Sequence, residues 1–221
     1  MTPVALDGVE TRDWTLRFAE SVYATEAELT ALDQQAGDGD FGTNLAAGVR
    51  AAGLLLDGTD EPAGPAETLG AMATAFLDEI GGTSGPLFGL LFHALSRAAA
   101  DSGPGLTAAA LADGTAQGLA AIRRVGDASP GDKTLVDALT PAAAALRAAE
   151  GAPPATALLA AADGAWRGVR DTASLSARMG RASYLGERAT GIPDPGAVGV
   201  ALLFSSAAGA VYALGPHLAG G

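Results

Sequence analysis

The stretch AVGVALLFSSAAGAVYAL, residues 197–214, decides how the rest of the chain is read. It is about as long as the ~18 apolar residues that mark a candidate membrane-spanning helix. Yet it is mostly Ala and Gly, carries Ser205 and Ser206 in its interior, and has no Lys or Arg before it nearer than Arg188. Basic and aromatic anchors at both ends are what a spanning helix uses, so no membrane association is expected. A helix that is apolar all round and lies in water must be enclosed by other helices. Asp194, Pro195 and Gly196 open it, with Asp as the cap and Pro in the first turn. The reading is a buried central helix over 195–214 with a helical wall around it.

Working outward, the remaining sequence supplies that wall. No period-2 run of Val, Ile, Thr and aromatic residues bounded by turn residues is found, whereas helix punctuation recurs throughout. A first helix from about Thr11 carries Trp14, Phe18 and Val22 at helical spacing, and Thr25 with Glu28 forms a capping-box signature for a second helix ending near Asp33. Further helices are predicted over 43–56, 65–80, 86–102, 107–125, 133–150 and 154–176, several opening on a capping residue or proline and several ending at glycine. Pro141 falls inside the 133–150 pattern and is expected to kink or divide it. The expected fold is all-α, a bundle of about eight antiparallel helices in a single domain over 1–221. Glycine-bearing polar junctions at 37–44, 81–85, 126–134 and 179–196 follow the second, fourth, sixth and eighth helices of this count. If short connections make successive helices run up and down, all four junctions meet at one end.

Composition narrows the function. Lys and Arg number 13 against 25 Asp and Glu, and a net charge of −12 repels a phosphate backbone, so nucleic acid is not an expected partner. The absence of cysteine removes disulfides, thiolate metal sites and cysteine nucleophiles. The segment MTPVALDGVETRDW lacks the basic start and apolar stretch of a secretory signal, and the expected location is the cytoplasm.

The junction LDQQAGDGDFGTN, residues 32–44, concentrates Asp33, Asp38 and Asp40 on a glycine-rich turn. Carboxylates this close repel unless solvated or neutralised, and oxygen ligands on a loop that folds back on itself are what Mg²⁺ takes. One Asp-Gly pair alone reads as an exposed turn; three aspartates shift the reading to a hard-metal site. Gly37, Gly39 and Gly42 match G-x-G-x-x-G, but a helix precedes them instead of a strand, which rules out a dinucleotide fingerprint. Asp40-Phe41-Gly42 lacks the other kinase signatures, and an EF-hand fails at Val49, where its bidentate Glu belongs.

The other junctions are weaker alone. Gly81-Gly82-Thr83-Ser84-Gly85-Pro86 precedes an apolar helix and suits either a phosphate cradle or a simple cap. GDASPGDKT, residues 126–134, resembles a Walker A loop, but Asp132 separates Gly131 from Lys133 and no strand comes first; Lys133 is expected to serve as a dipole or ion-pair residue near a helix start. The segment from Arg178 to Gly199 gathers Arg178, Arg181 and Arg188, either a phosphate-directed guanidinium set or a solvated pair with Glu187. His93 and His217 lack metal-ligand spacing, and His93 reads as a core or edge residue.

Taken together, LDQQAGDGDFGTN, GGTSGPLFG, GDKTLVDALTP and GRASYLGERATGIPDPGA resemble the four signature segments of the L subunit, the nucleotide-binding part, of dihydroxyacetone kinases, in the family's order. The resemblance implies a barrel of eight antiparallel helices with the nucleotide, ATP or ADP, at one end. It implies two Mg²⁺ ions on Asp33, Asp38 and Asp40, with Phe41, Gly42, Thr43, Asn44, Thr83 and Ser84 along the phosphates. Gly126 and Leu135 would line the nucleotide pocket, Asp194, Pro195 and Gly196 with Arg181 its remaining wall, and Arg181 would be catalytic. Phe41 stands where the family usually has histidine, Leu135 where it has methionine, and Met179 where it has a basic residue. A separate K-type subunit would bind the sugar acceptor, and the donor would be ATP or a phosphotransferase-system protein that rephosphorylates retained ADP. A homodimer is left open. Two other readings are the nucleotide domain of a fatty-acid-kinase-like system and a regulatory subunit that senses nucleotide without turnover.

Overall fold

A computed structural model describes residues 4–58, 63–78, 84–179, 183 and 189–219. Among them are α1 (Gly8–Ala36), α2 (Phe41–Asp57), α3 (Pro65–Asp78), α4 (Ser84–Asp101), α5 (Ala108–Gly126), α6 (Leu135–Ala148), α7 (Pro154–Thr172), α8 (Pro195–Ser205) and the short α9 (Gly215–Leu218). The only strands among them, β1 (Ala5–Leu6) and β2 (Leu106–Thr107), pair antiparallel. The fold is all-α.

Successive helices run antiparallel, as contacts between their opposite ends show. Arg12, early in α1, pairs with Asp57 at the end of α2 at 2.7 Å. Arg147, late in α6, reaches Asp113 of early α5 at 2.9 Å, and at the end of α7 Thr172 Oγ1 accepts from the amide of Asp194, the N-cap of α8, at 2.9 Å. Every residue from Pro195 to Phe204 of α8 is buried, so α8 is the enclosed central helix. Its last carbonyls, orphaned by the helix end, are taken by α1: Trp14 Nε1 donates to Leu203 O at 2.8 Å and Arg17 Nε to Ser206 O at 2.7 Å. Among the described residues no helix is long and apolar enough to cross a membrane.

Three sequence expectations change. The predicted first two helices are one, α1, because its buried stripe continues from Trp14, Phe18 and Val22 through Thr25, Leu29 and Asp33. Thr25 is no cap: its Oγ1 donates back to Ser21 O at 2.7 Å, and Glu28 instead accepts from the amide of Leu214. The four junctions therefore follow α1, α3, α5 and α7, which keeps their common parity. The central helix stops at Ser205 and not at residue 214, because Ser21 Oγ contacts Ser206 Oγ at 2.9 Å and accepts from Val211 N at 2.9 Å, folding that segment back over α1. Pro141 does not divide α6. It cannot donate to Asp137 O, and at that turn α7 presents Gly164 and Gly168, where a Cβ would collide with the backbone of Pro141 and of Asp137.

Candidate metal centre and the loops around it

The last turn of α1 brings Asp33 inward, 7% exposed, while Asp38 and Asp40 sit in the turn that follows, both exposed. The turn closes tightly: Gly37 N donates to Asp33 O at 2.5 Å, and Gly39 has φ +82, the left-handed region where a side chain is strained. One carboxylate oxygen from each of Asp33, Asp38 and Asp40 lies within 4.8 Å of the others. Asp40 occupies the N-cap position of α2 without making a side-chain capping bond. That role falls to Asp33, whose Oδ2 accepts from Phe41 N at 3.0 Å. An all-oxygen set of three carboxylates, one buried and pre-oriented, suits a hard divalent cation such as Mg²⁺.

Phe41 itself faces inward. Its ring is 4% exposed and packs 6.4 Å from Phe88 of α4, from which tilted pairs continue through Phe76 and Phe92 to Phe18. Gly199 of α8 lies against both rings, since a Cβ there would sit 2.8 Å from Phe88 Cζ and 3.0 Å from Phe41 Cζ. This contact joins the first residue of α2, whose amide Asp33 caps, and the second turn of α4 to α8. Gly42 is buried, Thr43 exposed and Asn44 half-buried at the start of α2.

The junction after α5 also reaches this end. Gly126 ends α5, and Asp127 caps it in a left-handed conformation with φ 51. Beside it, an open cavity of about 320 Å³ is lined by Ala120, Arg123, Arg124, Asp127, Ala128 and Ser129. Thr134 and Asp137 form a capping box at the start of α6, whose first residue, Leu135, is buried. A Cβ on Gly196 would lie 3.3 Å from Leu135 Cβ, so the openings of α6 and α8 touch. Asp194 caps α8, accepting from Ala197 N at 2.7 Å. Burial pushes its carboxyl up to about 7, with Asp137 and Asp33 adding repulsion and the Ala197 amide and Lys133 opposing.

Lys133 departs from expectation. Among the described residues it forms no ion pair at the start of α6; it is 1% exposed, and its Nζ donates to Thr172 O at 2.5 Å, at the end of α7, and Ile192 O at 2.6 Å. Arg178 pairs with Asp132 at 3.6 Å. His93 is exposed on α4, and His217 stacks on Trp166 with ring centroids 4.5 Å apart. Thr83, Arg181, Arg188 and Glu187, along with the side chain of Ser84, lie outside the described residues.

Residues 35–209 match the DAK2 domain profile. The chain belongs to the DAK2 domain family. This DAK2 domain is 41% identical over 194 residues to the L-erythrulose 1-kinase of Mycolicibacterium smegmatis, a match covering 87% of the chain and 33% of that enzyme. It is 35% identical over 197 residues to the ADP-binding subunit DhaL of PEP-dependent dihydroxyacetone kinase 1 of Listeria innocua, covering 87% of the chain and 93% of that subunit. The DAK2 domain superposes on the crystal structure of the dihydroxyacetone kinase from C. freundii in complex with AMP-PNP and Mg²⁺ with a TM-score of 0.65 and 30% identity, over 90% of this chain and 32% of that one. It thus spans about a third of the length of the erythrulose kinase and most of the length of DhaL. The resemblance to dihydroxyacetone kinase L subunits read from the four segments is met by all three comparisons, and the named relatives are kinases.

Proposed function

We propose that this DAK2 domain binds a magnesium nucleotide, ATP or ADP, at the end of the bundle and serves as the phosphoryl-donating part of a short-ketose kinase. The observation that carries the reading is the set of three aspartate oxygens within 4.8 Å, held on a turn whose geometry Asp33 fixes by accepting from Phe41 N. Asp33, Asp38 and Asp40 would hold two Mg²⁺ ions, which when bound neutralise phosphate charge and polarise the transferring phosphoryl group. Around them the chain's own groups do the positioning. The first-turn amides of α2 at Gly42 and Thr43 would face the phosphates, as helix N-termini favour anions, with Asn44, Thr83 and Ser84 completing that lining. Phe41 forms the floor beneath them. Gly126 and Leu135, with Asp194, Pro195 and Gly196, wall the nucleoside.

Arg181 supplies the cation that steadies charge on the transferring or leaving group; a guanidinium matches phosphate oxygens in a fork geometry. The described residues around the aspartates supply no histidine to act as general base, His93 and His217 lying elsewhere. Acceptor activation therefore belongs to a separate K-type subunit that binds the ketose. The donor would be ATP directly or a phosphotransferase-system protein acting on retained ADP; the Listeria relative is the ADP-binding subunit of a PEP-dependent kinase. The erythrulose kinases among the relatives extend the acceptor class from trioses to tetruloses.

The test is a coupled assay. The chain, mixed with a K-type subunit, Mg²⁺ and ATP or a rephosphorylating donor, is expected to phosphorylate dihydroxyacetone or erythrulose; mass spectrometry of the purified chain separates retained ADP from free exchange. Silence across short ketoses with nucleotide still bound would favour the sensing role.

A further inference from the structure

The segment GDKT, residues 131–134, is the one sequence motif that metal and nucleotide do not account for. In the structure each of its residues has a distinct contact. Gly131 N donates to Asp137 Oδ1, Asp132 Oδ2 accepts from Ser129 N, and Thr134 caps α6. Lys133 adopts φ 63, uncommon for a residue with a side chain, which accompanies the turn of its side chain into the protein. There its ammonium group meets backbone carbonyls only. Among the described residues no carboxylate lies within ion-pair distance of it, although Asp194 and Asp137 are near enough to oppose the lowering of its pKa by burial.

The two carbonyls are what give this lysine its meaning. Thr172 is the last residue of α7 and Ile192 lies just before α8, so the acceptors are the two feet of the arginine-bearing loop 173–194. Thr172 O, which also accepts from Leu175 N at 3.1 Å, is a carbonyl at a helix C-terminus, where the dipole favours a cation. The same feet are tied at two further points: Gly191 N donates to Ala173 O at 2.7 Å and Asp194 N to Thr172 Oγ1 at 2.9 Å. The adjacent Asp132 grips the near arm of the loop through Arg178, whose amide donates to Asp132 O at 3.2 Å and whose guanidinium lies 3.6 Å from Oδ1.

We propose that Lys133 is a positioning residue: its buried ammonium clasps Thr172 and Ile192, the two feet of the segment 173–194, and so fixes the Asp194 cap of α8 at the nucleotide end of the bundle. The assignment rests on the proposed nucleotide reading of this site. Placing a full charge in the interior costs desolvation, and two neutral carbonyls repay it only in part, so a structural role alone would be better served by an apolar residue of similar size. What the lysine adds is simultaneous hold on two chain segments that otherwise meet through a few amide bonds.

The experiment uses Lys133→Met, which keeps bulk and removes the charge, and Thr172→Val, which removes the hydroxyl that accepts from Asp194 N while leaving the lysine in place. Thr172→Ser is the rescue, since it restores that hydroxyl. Circular dichroism checks helix content, and trypsin cleavage after Arg178, 72% exposed, reports loop release by mass spectrometry. Calorimetry measures Mg-ADP binding and, separately, binding of Mn²⁺ alone to the aspartates. Both variants are expected to keep their helix signal and their Mn²⁺ affinity, to cleave after Arg178 about tenfold faster, and to bind Mg-ADP about tenfold more weakly, with Thr172→Ser returning both readouts toward the parent. Cleavage and Mg-ADP affinity both unchanged in a folded Lys133→Met protein overturn the clasp; if that variant does not fold, the same outcome in Lys133→Gln, a neutral and shorter side chain that cannot span both carbonyls, does so. Faster cleavage with unchanged Mg-ADP affinity also overturns the positioning role. A parent that binds no Mg-ADP would instead refute the nucleotide reading, and the cleavage arm would still decide whether Lys133 holds the loop.

Discussion

Asp33 Oδ2 accepts the backbone N–H of Phe41 at 3.0 Å, so the last turn of one helix caps the first turn of the next. One buried side chain thereby both bounds the acidic turn and contributes an oxygen to it.

Substitutions at Asp33 should separate those two roles. Asn retains an acceptor for Phe41 N, whereas Ala leaves a buried amide unpaired. Asp33→Ala is expected to lower stability by about 1–2 kcal/mol relative to Asp33→Asn in urea unfolding, as lost helix caps do. Both should lose divalent-cation affinity, because both remove the charge.

The floor beneath the aspartates is tightly packed. A methyl group added at Gly199 meets Phe88 Cζ at 2.8 Å and Phe41 Cζ at 3.0 Å. Gly199→Ala should cost about 1–3 kcal/mol by overpacking. Adding Phe41→Leu, which removes one of the two rings, is expected to recover part of that loss, a coupling that a double-mutant cycle reads directly.

Much of this architecture was legible in the sequence, and the exceptions have particular causes. The all-round apolar run at 197–204 announced the enclosed helix, and the spacing of Trp14, Phe18 and Val22 announced a wall helix. Local patterns failed where a distant residue took the polar group. Thr25 and Glu28 look like a capping box, yet their partners are Ser21 O and Leu214 N. The run beyond Ser205 looks helical, yet Ser21 redirects it. In the site, the clustering of aspartates on glycines was visible, but Lys133 read as a dipole or ion-pair residue at the start of its own helix because its acceptors at Thr172 and Ile192 are far along the chain. The inward turn of Phe41 was equally hidden, since Phe88 and Gly199 come from other helices.

Asp194 gives the domain a pH dependence with a definite sign. Its carboxyl, ordinarily near 3.8, is pushed up to about 7 by burial, so the folded protein holds a proton there that the unfolded chain has lost. The contribution is complete below pH of about 4 and disappears as pH rises toward about 7. Asp194→Asn keeps the cap on Ala197 without the titrating group. The Tm of this variant relative to the parent should therefore rise from about pH 4 to about pH 7 and level off above it, measured without nucleotide or divalent cation.

Trp14 anchors the central helix from outside. Its Nε1 donates to Leu203 O at 2.8 Å in a buried setting. Trp14→Phe should lower stability by about 1–3 kcal/mol, because it leaves that carbonyl unpaired as well as a void. Mg-ADP affinity should hardly change, since this contact lies far along α8 from Asp194.

The central claim is that Asp33, Asp38 and Asp40 hold the metal of a magnesium nucleotide. Calorimetric titration of ADP into the parent, Asp38→Ala and Asp40→Ala, each with and without Mg²⁺, tests it most directly. The account predicts Mg²⁺-dependent binding by the parent and a loss of at least about tenfold in each folded variant. Mg-ADP bound as tightly by both variants as by the parent, or parent binding indifferent to Mg²⁺, would contradict it.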